Sequence, residues 1–158
     1  MGRIEDRPRS IARGVALGTF VAMTPTVGIQ MLLVTVINTL CRANVLAGLI
    51  MVYISNPLTM IPLYWLDYVL GALLCGKPLI SYHVFAQRMS TVTAHVGRWE
   101  FWSATVELFK FGADLAWPTL LGGVCVGAAC AVPAYFLTLG FLARRAAARR
   151  RSVGRSGS

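Results

Sequence analysis

A chain of 158 residues that is 56% hydrophobic and only 13% charged falls far below the roughly 25% charged content of an ordinary soluble domain. Three long stretches, 14–41, 44–66 and 115–143, carry no Asp, Glu, Lys or Arg, and so short a chain cannot build a core that covers them, which excludes an ordinary soluble domain and points to an all-α integral membrane protein. The formal net charge of +9 lies mostly at the two ends, a topology signal for a membrane protein that argues against nucleic acid as a partner.

Residues 1–13 form a basic N-terminus with Arg3, Arg7, Arg9 and Arg13. The start of the apolar run that follows could pass for a signal peptide, but it has no small-x-small cleavage site and apolar sequence resumes after Pro25, so it reads as an uncleaved membrane element.

Residues 14–76 read as a membrane domain of two broken helical segments. In the first, Gly14 to Cys41, Thr24-Pro25 and Gly28 leave pieces of roughly 11 and 13 residues, each too short to cross a bilayer alone. That segment is either one kinked crossing or a re-entrant hairpin. The second, Asn44 to Gly76, is interrupted at Ser55-Asn56-Pro57. A residue before proline is pushed away from helical angles, so Thr24 and Asn56 are expected to end half-helices. An internal repeat and a coincidence of two breaks both remain open.

Residues 77–114 leave the hydrocarbon, yet Phe85, Met89, Val92, Val96, Trp99, Trp102, Val106 and Phe109 recur at spacings of three and four. That is the pattern of an interfacial amphipathic helix, and its near-balanced charge suits the extracytoplasmic side. Residues 115–143 read as a C-terminal transmembrane helix, in which Gly123 and Gly127 offer a close-packing face to another helix. Residues 144–158 form a basic cytoplasmic tail whose Arg144, Arg145, Arg149, Arg150 and Arg151 suit lipid headgroups.

With both termini cytoplasmic and one final crossing, the region 14–76 must cross an odd number of times. Placing Arg42 on the cytoplasmic side makes the first segment re-entrant and the second a kinked crossing.

Polar residues at membrane depth need partners or water. They are Thr24, Gln30, Asn38, Asn56, Thr59 and Asp67, and with the breaks at Pro25 and Pro57 they form the candidate polar membrane site. Half-helix ends can hold ions or substrate headgroups. On the plainer reading, Thr24 and Asn56 cap helices while Gln30 and Asn38 tie helices together. Asp67 follows Pro57 by ten residues, about 15 Å of helix, which places it toward the outer interface with Tyr64, Trp65 and Tyr68 as an aromatic belt. Catalytic signatures such as HExxH, GxSxG and a phosphate-binding glycine loop are absent, so no enzyme activity, catalytic residue, cofactor or metal is expected. Cys41, Cys75, Cys125 and Cys130 read as buried small hydrophobes, and His83 and His95 as surface residues.

Ala16-Leu17-Gly18-Thr19-Phe20, Thr24-Pro25-Thr26-Val27-Gly28-Ile29-Gln30, Leu40-Cys41-Arg42-Ala43-Asn44, Ile54-Ser55-Asn56-Pro57-Leu58-Thr59 and Pro62-Leu63-Tyr64 occur in that order. Together they resemble the domain of unknown function 2062 (DUF 2062) family, closely over residues 8–76 and loosely beyond. The resemblance implies a bacterial, membrane-bound protein of the inner membrane and carries no reaction, substrate or cofactor. Asp67 departs from a position that is often neutral in the family. Two functions are compatible with these features: transport of a small solute, ion or lipid at the paired broken helices, or a non-catalytic scaffold or assembly partner. Membrane lipids, a second copy of the chain or other membrane proteins are the expected partners.

Overall fold

The computed structural model describes residues 8–26, 29–53, 57–93 and 113–155. Among them are six helices and no strand: α1 Pro8–Met23, α2 Gln30–Leu40, α3 Val45–Val52, α4 Pro57–Leu74, α5 Tyr82–Thr93 and α6 Ala113–Arg155. By length and composition, α6 over Leu115–Ala148 is the one described helix long and apolar enough to cross a bilayer. Asn56, His95, Trp99, Trp102 and the later part of the apolar stripe lie outside the described residues.

Both proline breaks fall between helices. Pro25 cannot continue α1, and Thr24 closes its last turn by donating its hydroxyl to the Phe20 carbonyl at 2.6 Å and its amide to the Val21 carbonyl at 3.1 Å. Pro57 opens α4, where its missing N–H would have no helical partner in any case. Between α2 and α3 the chain turns at Arg42: its N–H donates to the Thr39 carbonyl and that of Ala43 to the Asn38 carbonyl. This is a Schellman cap with arginine at the left-handed position, φ 50°, where glycine is usual. Asn44 then caps α3, its Oδ1 accepting from the Ala47 N–H at 2.6 Å.

Helices meet where glycine removes side chains. A Cβ at Gly14 would overlap the Asn44 carbonyl and one at Gly18 the Gly48 carbonyl, so α1 and α3 run side by side in the same direction. A Cβ at Gly71 would overlap the Pro118 carbonyl and one at Gly122 the Asp67 carbonyl, so α4 and α6 run antiparallel. Gly123 lies against Met23 and Pro25, and Gly127 against Phe20, so α6 also runs antiparallel to α1. The helix-packing role expected of Gly123 and Gly127 thus has its partner in the C-terminal turn of α1.

Two apolar clusters fill the remaining space, one of Val21, Val34 and Val52, the other of Tyr64, Tyr68, Ala72, Phe85, Met89 and Leu115. The second cluster corrects the aromatic-belt expectation: Tyr64 and Tyr68 are buried inside the molecule, not ringed around it. Phe85 and Met89, the described start of the stripe, are likewise covered by α4. Phe85 stacks on Tyr68 with centroids 5.5 Å apart, because the chain folds back at residues 77–81, where Tyr68 Oη bonds Pro78 and Ile80. The cysteines also differ from expectation. All four are free, Cys41 and Cys125 are exposed and the other two half-buried; Cys41 and Cys75 stand in the turns just past α2 and α4.

The apolar run ends at Ala143, but the helix does not: α6 carries Arg144 and Arg145 onward to Arg155 without a break, with Arg145 lying over the Phe141 ring at 4.5 Å.

The packing makes a steric prediction. Gly71→Val and Gly122→Val are expected to abolish the folded state, seen as loss of a monodisperse species and of cooperative melting, whereas Gly140→Ala, where nothing lies within 4 Å, leaves the melting midpoint unchanged or raises it. Arg42→Gly relieves the left-handed strain and is expected to stabilise the purified protein by about 0.5–1 kcal/mol, read as a higher midpoint than wild type.

Candidate functional site

The inner face of α2 carries Gln30, Val34 and Asn38, buried at successive turns, while Met31, Leu32, Val36 and Leu40 on its outer face are exposed. On α4, Tyr64, Asp67 and Tyr68 are buried, while Leu66, Leu73 and Leu74 face outward. α6 exposes Val124, Val132, Phe136, Leu137 and Phe141. Polar groups inside and large apolar side chains outside invert the usual arrangement of a protein in water.

Asp67 is the centre of this polar interior. It is wholly buried, and neither carboxyl oxygen has a hydrogen-bond partner. Its backbone is locked against Gly122, and its side chain points to Gly123. The position a Cβ would occupy on Gly123 is 3.4 Å from Asp67 Oδ2, 3.1 Å from the Met23 carbonyl oxygen and 2.7 Å from Pro25 Cδ. The glycine of α6 therefore leaves the small space in which α4's carboxylate meets the broken end of α1. A buried carboxylate without donors costs several kcal/mol, so this is a place where stability is sacrificed.

Gln30 joins the same region from α2, donating through Nε2 to Tyr64 Oη at 3.0 Å. Tyr64 precedes Asp67 by one turn of α4 and so shares its face. Thr24, Pro25, Gln30 and Asp67 of the expected polar site thus come together around the first break. Asn38 does not: it is wholly buried two turns along α2, packed on Gly48, with the Val21, Val34 and Val52 cluster between. Neither its Oδ1 nor its Nδ2 has a hydrogen-bond partner, so the expected helix-tying role holds for Gln30 and fails for the Asn38 side chain. Thr24 ends α1, whereas α2 begins at Ile29 without a side-chain cap. Thr59 is exposed on the first turn of α4, and Asn56 lies outside the described residues.

α4 packs along α6 through Gly71 and Gly122, which covers Asp67 between the helices. Sequence reasoning missed Tyr64 as the partner of Gln30, and Gly71 and Gly122 as the contacts that hold Asp67. The available signal was small residues four apart, Gly14 with Gly18 and Asp67 with Gly71, read only in the last helix.

Five of the described arginines, Arg9, Arg13, Arg42, Arg144 and Arg145, lie toward one end. Ser10 Oγ donates to the Arg42 carbonyl and the Asn44 N–H to the Ser10 carbonyl, which puts the Arg42 turn beside the start of α1 with Arg9 and Arg13. Because α6 runs back along α1 from Gly127, Arg144 and Arg145 point toward that same end.

The family model described as "uncharacterized protein conserved in bacteria (DUF2062)" matches residues 1–151. No curated protein and no solved structure matches the chain.

If Asp67 is held at a cost, removing its charge should stabilise the fold. Asp67→Asn and Asp67→Leu are expected to raise the melting midpoint, while Tyr64→Phe, which loses the bond from Gln30, lowers stability by about 1 kcal/mol; a lower midpoint for both Asp67 variants would show the carboxylate to be a structural group.

Proposed function

The chain belongs to the DUF2062 family of bacterial proteins, and for this member we propose a multi-pass protein of the inner membrane, with both termini cytoplasmic, that moves a small solute or ion through the joint between its broken helices. The observation that carries this reading is Asp67, wholly buried and unpartnered against the Thr24-Pro25 break.

The surroundings support it. Exposed apolar faces on α2, α3, α4 and α6 suit lipid, where helices associate through close backbone approach and not through hydrophobic burial. The basic end, with Arg9, Arg13, Arg42, Arg144 and Arg145, suits the cytoplasmic side. On that placement α1 and α2 enter and leave by the same face as a re-entrant hairpin, α3 and α4 carry the chain outward, α5 packs back on α4, and α6 returns. Asp67 precedes Lys77 by ten residues, and Met23 beside it follows Arg13 by ten. The second is about 15 Å of helix, while α4 runs only seven residues past Asp67 to Leu74, about 10 Å, so on this placement Asp67 stands inside a hydrocarbon layer about 30 Å thick, near the depth at which transporters place their sites. Two crossings enclose no pathway alone, so the working unit is a homo-oligomer. The arginines of the C-terminal end of α6, Arg144, Arg145, Arg149, Arg150 and Arg151, meet anionic headgroups. No catalytic step is assigned to it.

A second reading, a non-catalytic scaffold, draws support from the tight contacts at Gly18, Gly71 and Gly122, which suit a dry structural joint. The two readings part at Thr24. In a variant lacking the native cysteines, single cysteines at Thr24, Arg42, Ser90 and Ser152 are treated in intact cells and in inverted vesicles with a membrane-impermeant thiol reagent. Ser90 is expected to react only in cells, Arg42 and Ser152 only in inverted vesicles, and Thr24 from one side. Silence of Thr24 in both preparations would sink transport in favour of the scaffold, and labelling of Ser152 in intact cells would overturn the topology.

A further inference from the structure

The groups around Asp67 have one sign. α1 ends at Met23, so its carbonyl-bearing terminus, the negative end of the helix dipole, is what meets the carboxylate, with the Met23 oxygen and Asp67 Oδ2 both within 3.5 Å of the Cβ position of Gly123. Gln30 opens α2 nearby with its N-terminal amides, the positive end that would satisfy an acid, yet no donor from that turn reaches Asp67. The Gln30 side chain spends a donor on Tyr64 instead.

Among the described residues no basic group compensates either. Gly14–Met23 of α1, Gln30–Leu40 of α2 and Leu115–Ala143 of α6 contain no Lys, Arg or His. Arg88 and His83 on α5 are exposed. The titratable groups near Asp67 on its own helix are Tyr64 and Tyr68, and on α6 Cys125 is exposed. A carboxylate that faces carbonyl oxygens across a gap left by glycine, with no donor and no cation of the protein's own, is half of an ion site.

From this geometry we infer that the Asp67 joint binds a hard cation, a proton or a monovalent metal ion, through oxygen atoms alone: the Asp67 carboxylate and the Met23 carbonyl, with the Tyr64 hydroxyl on the same face of α4. Oxygen donors suit hard cations and select against soft metals. Gly123 is the residue that keeps the site open, since a methyl group there would stand between the two ligands. The inference deepens the transport reading and rests on it for the route by which the cation arrives, but binding itself can be measured without transport.

The experiment uses full-length protein in detergent, followed by its melting midpoint. Sodium, potassium and choline chloride are compared at constant ionic strength between pH 5 and 9. For a metal ion, the midpoint of wild type rises by several degrees with sodium or potassium over choline at high pH, and protons compete. For a proton, it rises as pH falls and is the same in all three salts. In either case Asp67→Asn loses the response, and Gly123→Ala requires at least tenfold more cation for the same shift, which keeps the inference testable if Asp67→Asn fails to fold. Equal responses of wild type, Asp67→Asn and Gly123→Ala across every salt and pH would overturn it. A cation response with an unreactive Thr24 would leave a cation site in a protein that conducts nothing, whereas a reactive Thr24 with no cation response would leave a conduit for a neutral solute.

Discussion

Backbone meets backbone at Gly71 and Gly122, and the rest of the architecture follows from that contact. With no Cβ on either residue, α4 and α6 approach until each glycine touches the other helix's main chain, and the next residue, Gly123, is thereby turned toward α1. Any side chain at these positions would separate the helices by the thickness of a methyl group, and the acid of α4 would no longer reach the broken end of α1. Close backbone approach of this kind is a means by which helices associate where burying apolar surface gains little. The same device, used at Gly14 and Gly18, joins α1 to α3. The molecule is in this sense two glycine seams, α4 with α6 and α1 with α3, tied together where Gly123 and Gly127 of α6 meet α1.

How much of this was legible in the sequence differs from element to element. Helix breaks were legible at Pro25 and Pro57 because proline acts locally, through its own ring and missing N–H, and nothing distant can overrule it. The pairing of Gly123 and Gly127 with a neighbour was legible as a capacity, but the neighbour was not, since spacing along one helix says nothing about which helix answers it. Asp67 shows the limit most clearly. Its place on α4 is fixed by the chain, but its burial depends on where α4 is gripped, and the grip lies four residues further on at Gly71. The stripe beginning at Phe85 and Met89 was legible as an apolar face, whereas its partner depended on the chain folding back at residues 77–81, which Tyr68 holds through Pro78 and Ile80. Inner and outer faces could have been read from α2, where Gln30 and Asn38 recur at helical spacing on the side opposite Leu32 and Val36.

Among the described residues two unpartnered polar side chains, Asn38 and Asp67, lie in the interior, and they differ in what they ask of the protein. Asn38 is neutral and its main chain is fully engaged in the cap at Arg42, so its burial is a modest strain beside a rigid turn. Asp67 carries an ionisable group at a joint between segments, where α1 stops and α2 starts. The first lies behind a valine layer formed by Val21, Val34 and Val52; the second adjoins Met23 and Pro25, where α1 stops.

The unbroken course of α6 gives that joint a mechanical reach. From Gly123 to Arg155 the helix runs about 48 Å with no interruption, and its arginines project past the start of the helix it packs along. A rod of that length is a lever: tilting it by about 10° around the Gly123 contact sweeps its tip through roughly 8 Å while shifting the pivot by almost nothing. Run in the other direction, a load applied to the arginine tip arrives as torque at Gly123, the residue of α6 that faces the buried acid of α4.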